Sequence, residues 1–468
     1  MALSRRDFLN RSALAGTGVL LIGTTDMLLT APGAIGDPVG LSTATEPGYG
    51  PLVADPAGRL ALPAGFRYSI VTQAGVGGTT LESGEPTPGS HDGTGAFWRP
   101  GGTVLVNNHE IGDSFASAEF PVPHLDRLVY DPGMAGGCTI VQTRRDGSRV
   151  REYVGLAGTS ENCAGGVTPW GTWLTCEETE TRAGENGATK DHGYVFEVDP
   201  YDRSANRDPQ PIKALGRFEH EAASVDPRTG DIYLTEDASG PNGLLYRWVA
   251  PLDLPRGRRR LRTLSATAGT LGAMKATDST GAHVDDLSRA TEVGTVYTIT
   301  WIPVPDRDAA TTSTREQFAD TDITRARKLE GAWWGDGGAY IVTSFARSES
   351  PVSHDGQVWF YNPTRSTLTL RLRFGANPNP TVDGVFDGPD NITVSPYGGL
   401  ILAEDGGGVQ HLVGVTGDGR TFPLARNDID DDEFTGPTYS LDRRILFANL
   451  QVPGTMFAIT GPWRRQPD

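Results

Sequence analysis

Short stretches of alternating apolar and polar residues, each opened by turn residues and closed by a polar or acidic end, recur from about residue 61 onward. Six copies stand out: GGTVLVNNHE at 101–110, GTWLTCEE at 171–178, GDIYLTED at 230–237, GGAYIVTSF at 337–345, GGLILAED at 398–405 and DRRILFANL at 442–450. Pro100, Pro169, Pro227 and Pro396 sit just before four of the turns. The copies are too short for helices, and no long 3.6-residue periodicity joins them, so they predict β-strands. Only 315–329 is expected to hold a short helix or an irregular insertion. Successive copies lie about 40 to 110 residues apart, the length of one four-stranded blade with or without insertions. The expectation is an all-β chain: a six-bladed β-propeller spanning 61–468 as a single domain. A large β-sandwich is the alternative, because strand patterns alone do not close a ring.

A second register runs beside the first. About eight to ten residues upstream of each strand stands a side chain able to bind a metal: Asp92, Cys163, Glu221, Glu330, Asp390 and Glu433. Equivalent positions in successive blades converge near the propeller's central channel. Five carboxylates and a thiol brought together there would repel one another, and bound cations are the usual remedy. Oxygen ligands suit Ca²⁺, and a thiolate suits a transition metal. The stretch ENCAGGVTPWGTWLTCEE at 161–178 carries both registers, Cys163 upstream and the pair Glu177–Glu178 at the strand end. Taken singly, His109–Glu110, His220–Glu221 and Glu236–Asp237 read as turn-capping or surface pairs. Trp170, Trp173, Trp333 and Trp334 read as aromatics packed between blades.

Composition narrows the partners. The net charge of −17 lacks the clustered basic residues that nucleic acid requires and suits a site that gathers cations. The histidines show no zinc-type spacing. With only Cys138, Cys163 and Cys176 there is no disulfide framework, although a Cys163–Cys176 bridge stays open in an oxidising compartment. Residues 1–34 read as a twin-arginine signal peptide: Ser4-Arg5-Arg6-Asp7-Phe8-Leu9, then a weakly apolar, glycine-containing run too short to span a membrane. The expected partner there is the twin-arginine translocation machinery, and the expected destination is extracellular, periplasmic or the cell envelope. Residues 35–60 read as a linker.

The stretches NCAGGVTPWGTWLTCEE, GRFEHEAASVDPRTGDIYLTED, LEGAWW and DGPDNITVSPYGGLILAEDG resemble the PhoX alkaline phosphatases. The resemblance implies a six-bladed propeller, twin-arginine export, hydrolysis of phosphate monoesters, and an iron pair with calcium ions held by a cysteine and several carboxylates. Carried over position by position, it makes Cys163 the iron ligand and Glu110, Glu178, Glu221, Glu330 and Asp390 the carboxylate ligands. The family places an arginine two residues before the glutamate matched by Glu330. This chain has Lys328 there, with Arg327 beside it, and a lysine keeps the charge but not the bidentate fork. The chain is also shorter than typical members. The expected function is therefore an exported, monomeric, iron- and calcium-dependent phosphatase acting on a small phosphoester, with Lys328 and Arg327 steadying the phosphoryl oxygens. Two other readings stay open: a metal-stabilised binding propeller without catalysis, and a calcium-dependent, lactonase-like hydrolase.

Overall fold

Glycines and prolines cut the sequence into pieces of two to eleven residues, most of them rich in Val, Ile, Leu, Thr and aromatics, and those pieces become strands. The computed structural model describes residues 46–254, 257–346 and 352–467, so the twin-arginine segment and residues 35–45 of the linker lie outside the described residues. The described residues from 47 onward form one compact unit. Residues 47–60, read as linker, contain the two-residue strand Leu52–Val53 and the first residue of the strand Leu60–Pro63. Helical content among the described residues is limited to 3₁₀ turns, including Thr314–Gln317 in the insertion expected at 315–329.

Six inner strands surround one channel: His91–Arg99, Asn162–Val167, His220–Val225, Leu329–Gly335, Pro389–Val394 and Phe434–Tyr439. Each packs against the inner strand before and after it, the last against the first, so the ring closes. The six repeated sequence copies are the second strands, each antiparallel to its inner strand. Buried apolar side chains fill the six gaps between neighbouring fans. Phe97 and Val104 meet Trp173 and Phe196 across one gap, and Val71 and Phe447 meet Ala96 and Leu105 across the gap that closes the circle. The other four gaps are filled in the same way.

The expectation of six separate blades needs correction: the strands form five hydrogen-bonded sheets. The strand Val296–Pro303 pairs with Thr270–Thr277 on one side and Thr367–Arg373 on the other, fusing two four-stranded fans into one ten-stranded sheet. Closure comes from the N-terminal side of the unit. Arg67–Gln73 adds as the outer strand of the last fan, with Gln73 opposite Thr455 and Arg67 opposite Thr460.

Two local features aim the chain at the axis. The ladder between inner and second strand slips just after its first pair in five fans, at His91/Thr94, Asn162/Gly165, His220/Ala223, Leu329/Ala332 and Pro389/Ile392, and at Thr435/Thr438 in the sixth. A β-bulge re-aims the side chains it carries. In the five, the first bulged residue is Asp92, Cys163, Glu221, Glu330 or Asp390. Two positions upstream, four inner strands enter through a left-handed residue: Ser90 (φ 46°), Glu161 (49°), Lys328 (49°) and Gly388 (47°). In four of the five the residue after the bulged side chain is Gly or Ala, and the strands nearly touch there. A Cβ on Gly93 would sit 2.7 Å from Cα of Ala164, and one on Gly331 2.8 Å from the carbonyl of Asp390.

Candidate metal centre

Successive side chains on a strand point to opposite faces, and this divides the acidic pairs at the ends of the second strands. The first member turns into the blade. Glu177 accepts hydrogen bonds from the backbone N–H groups of Ser160 (3.1 Å), Gly193 (2.9 Å) and Tyr194 (3.1 Å) and pairs with His192, whose other ring nitrogen meets Asp131. Glu236 accepts from the Leu244 N–H and the Tyr246 hydroxyl. Glu404 accepts from the Asp387 N–H and pairs with His411. The second members, Glu178, Asp237 and Asp405, turn towards the channel.

There they meet the bulged residues. Ligand atoms of Cys163, Glu178 and Glu221 lie within 4.8 Å of one another, as do those of Glu221, Glu330 and Asp390, and those of Asp390, Asp405 and Glu433. Glu221 and Asp390 are shared, so the three groups form one continuous string along the channel wall. One end carries the thiol and the rest is all oxygen. Of the six ligands expected from sequence, the string contains Cys163, Glu178, Glu221, Glu330 and Asp390. Glu110 stands beside it, where Gln451 donates to both Glu110 and Asp92. Asp405 and Glu433 complete the far end. Both were visible in the repeat, at a strand end and in the upstream register, but the family resemblance did not carry them over.

The electrostatics agree with a shared space. Burial and the charges of Glu110, Glu221 and Asp390 push the Asp92 carboxyl far above its ordinary range. Burial, then Glu221, Glu178, Asp92 and Glu110, push the Cys163 thiol up. One oxygen of Asp92 and one of Glu330 are buried without a hydrogen-bond partner. Buried carboxylates in such a state are normally satisfied by cations or by protons, so the donor set fits bound metal ions. All three cysteines are free: Cys176 packs in the core between two fans, and no Cys163–Cys176 bridge forms.

The two basic residues expected at the site diverge. Lys328 Nζ reaches Asp237 (2.8 Å) and Glu330 (3.2 Å), at the edge of the string. Arg327 points the other way and pairs with Asp286 at 3.1 Å. A third cation, Arg315, was not anticipated. It lies largely buried between Glu180 (2.8 Å), Glu236 (3.2 Å) and Glu219 (3.4 Å). Burial raises the carboxyls of Glu219 to about 8 and Glu236 to about 7 even beside it. Nothing in the insertion's sequence marks Arg315 out from its basic neighbours.

Among solved structures, the fold is similar to that of Pseudomonas fluorescens PhoX in complex with vanadate, a transition state analogue. The TM-score is 0.63 at 17% identity, covering 86% of this chain and 96% of that one. A gluconolactonase from Xanthomonas campestris matches at a TM-score of 0.44 and 13% identity, covering 89% of this chain and 99% of that one. No curated protein matches the sequence. The profile of the family described as Alkaline phosphatase PhoX matches residues 47–454, and the chain belongs to that family of phosphatases.

Proposed function

We propose that the chain is an exported phosphatase that hydrolyses phosphate monoesters at a cation cluster in its channel. The observation that carries this reading is the continuous string Cys163, Glu178, Glu221, Glu330, Asp390, Asp405 and Glu433, with Lys328 at its edge. Cys163, Glu178 and Glu221 would hold the iron pair, because a thiolate among carboxylates selects a transition metal. The all-oxygen remainder, with Glu110 and Asp92 beside it, would hold Ca²⁺. Bound there, the ions would polarise a phosphoryl oxygen and offset the charge of the ester.

The chain's own contribution is positioning and charge. Lys328 Nζ would donate to a non-bridging phosphoryl oxygen as charge develops on it, exchanging part of its contact with Asp237 for the substrate. Arg327, held by Asp286, would act only through the turn it shares with Lys328. The first members of the acidic pairs, fixed by backbone N–H groups and histidines, hold the second members in place.

Purified protein loaded with Fe and Ca²⁺ is expected to turn over p-nitrophenyl phosphate, with an optimum on the alkaline side. Elemental analysis is expected to find both metals, and Cys163→Ser to lose iron before calcium. Full metal occupancy without phosphoester hydrolysis from neutral to strongly alkaline pH would overturn the reading. Export is tested by replacing Arg5 and Arg6 with Lys, which is expected to strand the protein in the cytoplasm.

A further inference from the structure

The channel has a second mouth, at the opposite ends of the inner strands from the carboxylates. Between the two lies a constriction lined by Gly93, Thr94, Ala164, Gly331, Asn391 and Gly436, with about 20 Å³ of free space. That admits a single water and nothing larger. Beyond it the channel widens to a cavity of about 590 Å³, well within the range of small-molecule sites. A cavity of small-molecule size therefore lies at the end of the channel away from the carboxylates.

Its lining differs in chemistry from the rest of the chain. Trp98, Tyr201, Trp333, Trp334 and Tyr439 form the wall and rim, and no Asp or Glu is among the lining residues, although the chain carries a net charge of −17. Trp98 and Tyr201, at 60% and 44% exposure, are the only exposed aromatic side chains among the described residues, and both stand on this rim. Exposed aromatics gathered at a concave surface are the usual mark of a binding site. Trp333 and Trp334, expected from sequence to be packing residues only, each pack one edge against a core cluster and line this cavity as well.

Two polar groups give the cavity a direction. Ser224 lines it, is 2% exposed, and its hydroxyl has no hydrogen-bond partner. A buried hydroxyl left unsatisfied is unfavourable, so its presence points to a partner that arrives from outside. Arg443 is the one charged lining residue, and among the described residues its guanidinium makes no ion pair. A merely solvent-filled funnel would account for the volume. It would not account for the unsatisfied hydroxyl, the exposed aromatics or the absence of acids.

We propose that this mouth binds a planar aromatic molecule carrying one anionic group. The ring stacks on the tryptophan wall, the anion pairs with Arg443, and a polar ring substituent satisfies Ser224. A dianionic phosphoester, small and strongly hydrated, suits the other end of the channel and not this one.

The test uses 8-anilinonaphthalene-1-sulfonate, a planar aromatic monoanion, titrated into the full-length, metal-loaded protein and followed by its fluorescence. One saturable site is expected, with affinity reduced at least tenfold by Trp98→Ala and at least fivefold by Arg443→Gln. Both residues are exposed, so thermal melting of the variants is expected to match the parent. The uncharged 1-anilinonaphthalene is expected to bind more weakly and to ignore Arg443→Gln, and millimolar phosphate is expected not to displace the dye. Non-saturable binding, affinity unchanged in either variant, or displacement by phosphate would each overturn the proposal.

Discussion

Lys328 Nζ lies 3.2 Å from Oε1 of Glu330, the bulged carboxylate two residues on, in the inner strand that Lys328 leads into. The contact depends on the left-handed backbone at Lys328, φ 49°, which turns its side chain towards the channel while Arg327 faces Asp286. A non-glycine residue held in that region costs on the order of 1 kcal/mol. The same entry turn recurs at Ser90, Glu161 and Gly388, so it serves the ring generally, and only at Lys328 does it also present a cation.

Lys328→Ala is expected to lower kcat/KM for p-nitrophenyl phosphate about 100-fold, equivalent to about 2.7 kcal/mol of transition-state stabilisation. Lys328→Arg is expected to stay within tenfold of the parent, since the charge is kept. Metal content, read by elemental analysis, should not change in either. An alanine variant with parental kcat/KM would remove Lys328 from the reaction.

Neighbouring Glu177 and Glu178 are expected to fail in opposite ways. Glu177→Ala strips acceptors from three buried backbone N–H groups and from His192. At about 1–3 kcal/mol for each unsatisfied group, the loss should reach at least about 4 kcal/mol in denaturant unfolding. Glu178→Ala removes one of several like charges, so metal-free protein should lose little stability while metal content and turnover fall. Equal destabilisation by the two would contradict the division of the acidic pairs.

Chelation should abolish turnover and lower the melting temperature. A ligand held at about 100 times its Kd adds about 2.7 kcal/mol to the folded state, and stripping it returns the mutual repulsion that raises Asp92 and Cys163. Calorimetry with and without chelator reads this directly. Melting unaffected by chelation would mean the string holds no ions.

Much of this was legible because the repeat is written twice per blade. The strand-end register gave the second strands, and the upstream register gave Asp92 through Glu433 before any geometry was known. What was hidden has physical reasons. The strand VYTITWIP at 296–303 alternates like any edge strand, and its pairing on both sides, which turns six fans into five sheets, depends on where two distant fans lie. The outer strand 67–73 closes the ring across nearly 400 residues of sequence, a relation no local pattern carries. Trp333 and Trp334 have the composition of packing residues and are that in part. Only the end-to-end profile of the channel shows that they also face open space.

Stability should fall on acidification through a window set by buried histidines. Burial lowers His109 to about 4 and His220 to about 3, with His109 held between the Gly89 carbonyl and Thr139. Unfolded, each returns to about 6.5. The unfolded state then binds more protons than the folded one below about pH 6.5, so the stability that the neutral rings provide is complete above that pH and is lost as pH falls towards their folded values. For His109 the loss at pH 5 is about 2 kcal/mol. The carboxyl of Asp92, moved upward, works in the opposite sense, so the contribution is isolated by comparing the parent with His109→Gln. Between pH 7.5 and pH 5 the unfolding free energy of the variant is expected to change by about 2 kcal/mol less than that of the parent. Parallel pH profiles for the two proteins would show that His109 is not held neutral in the fold.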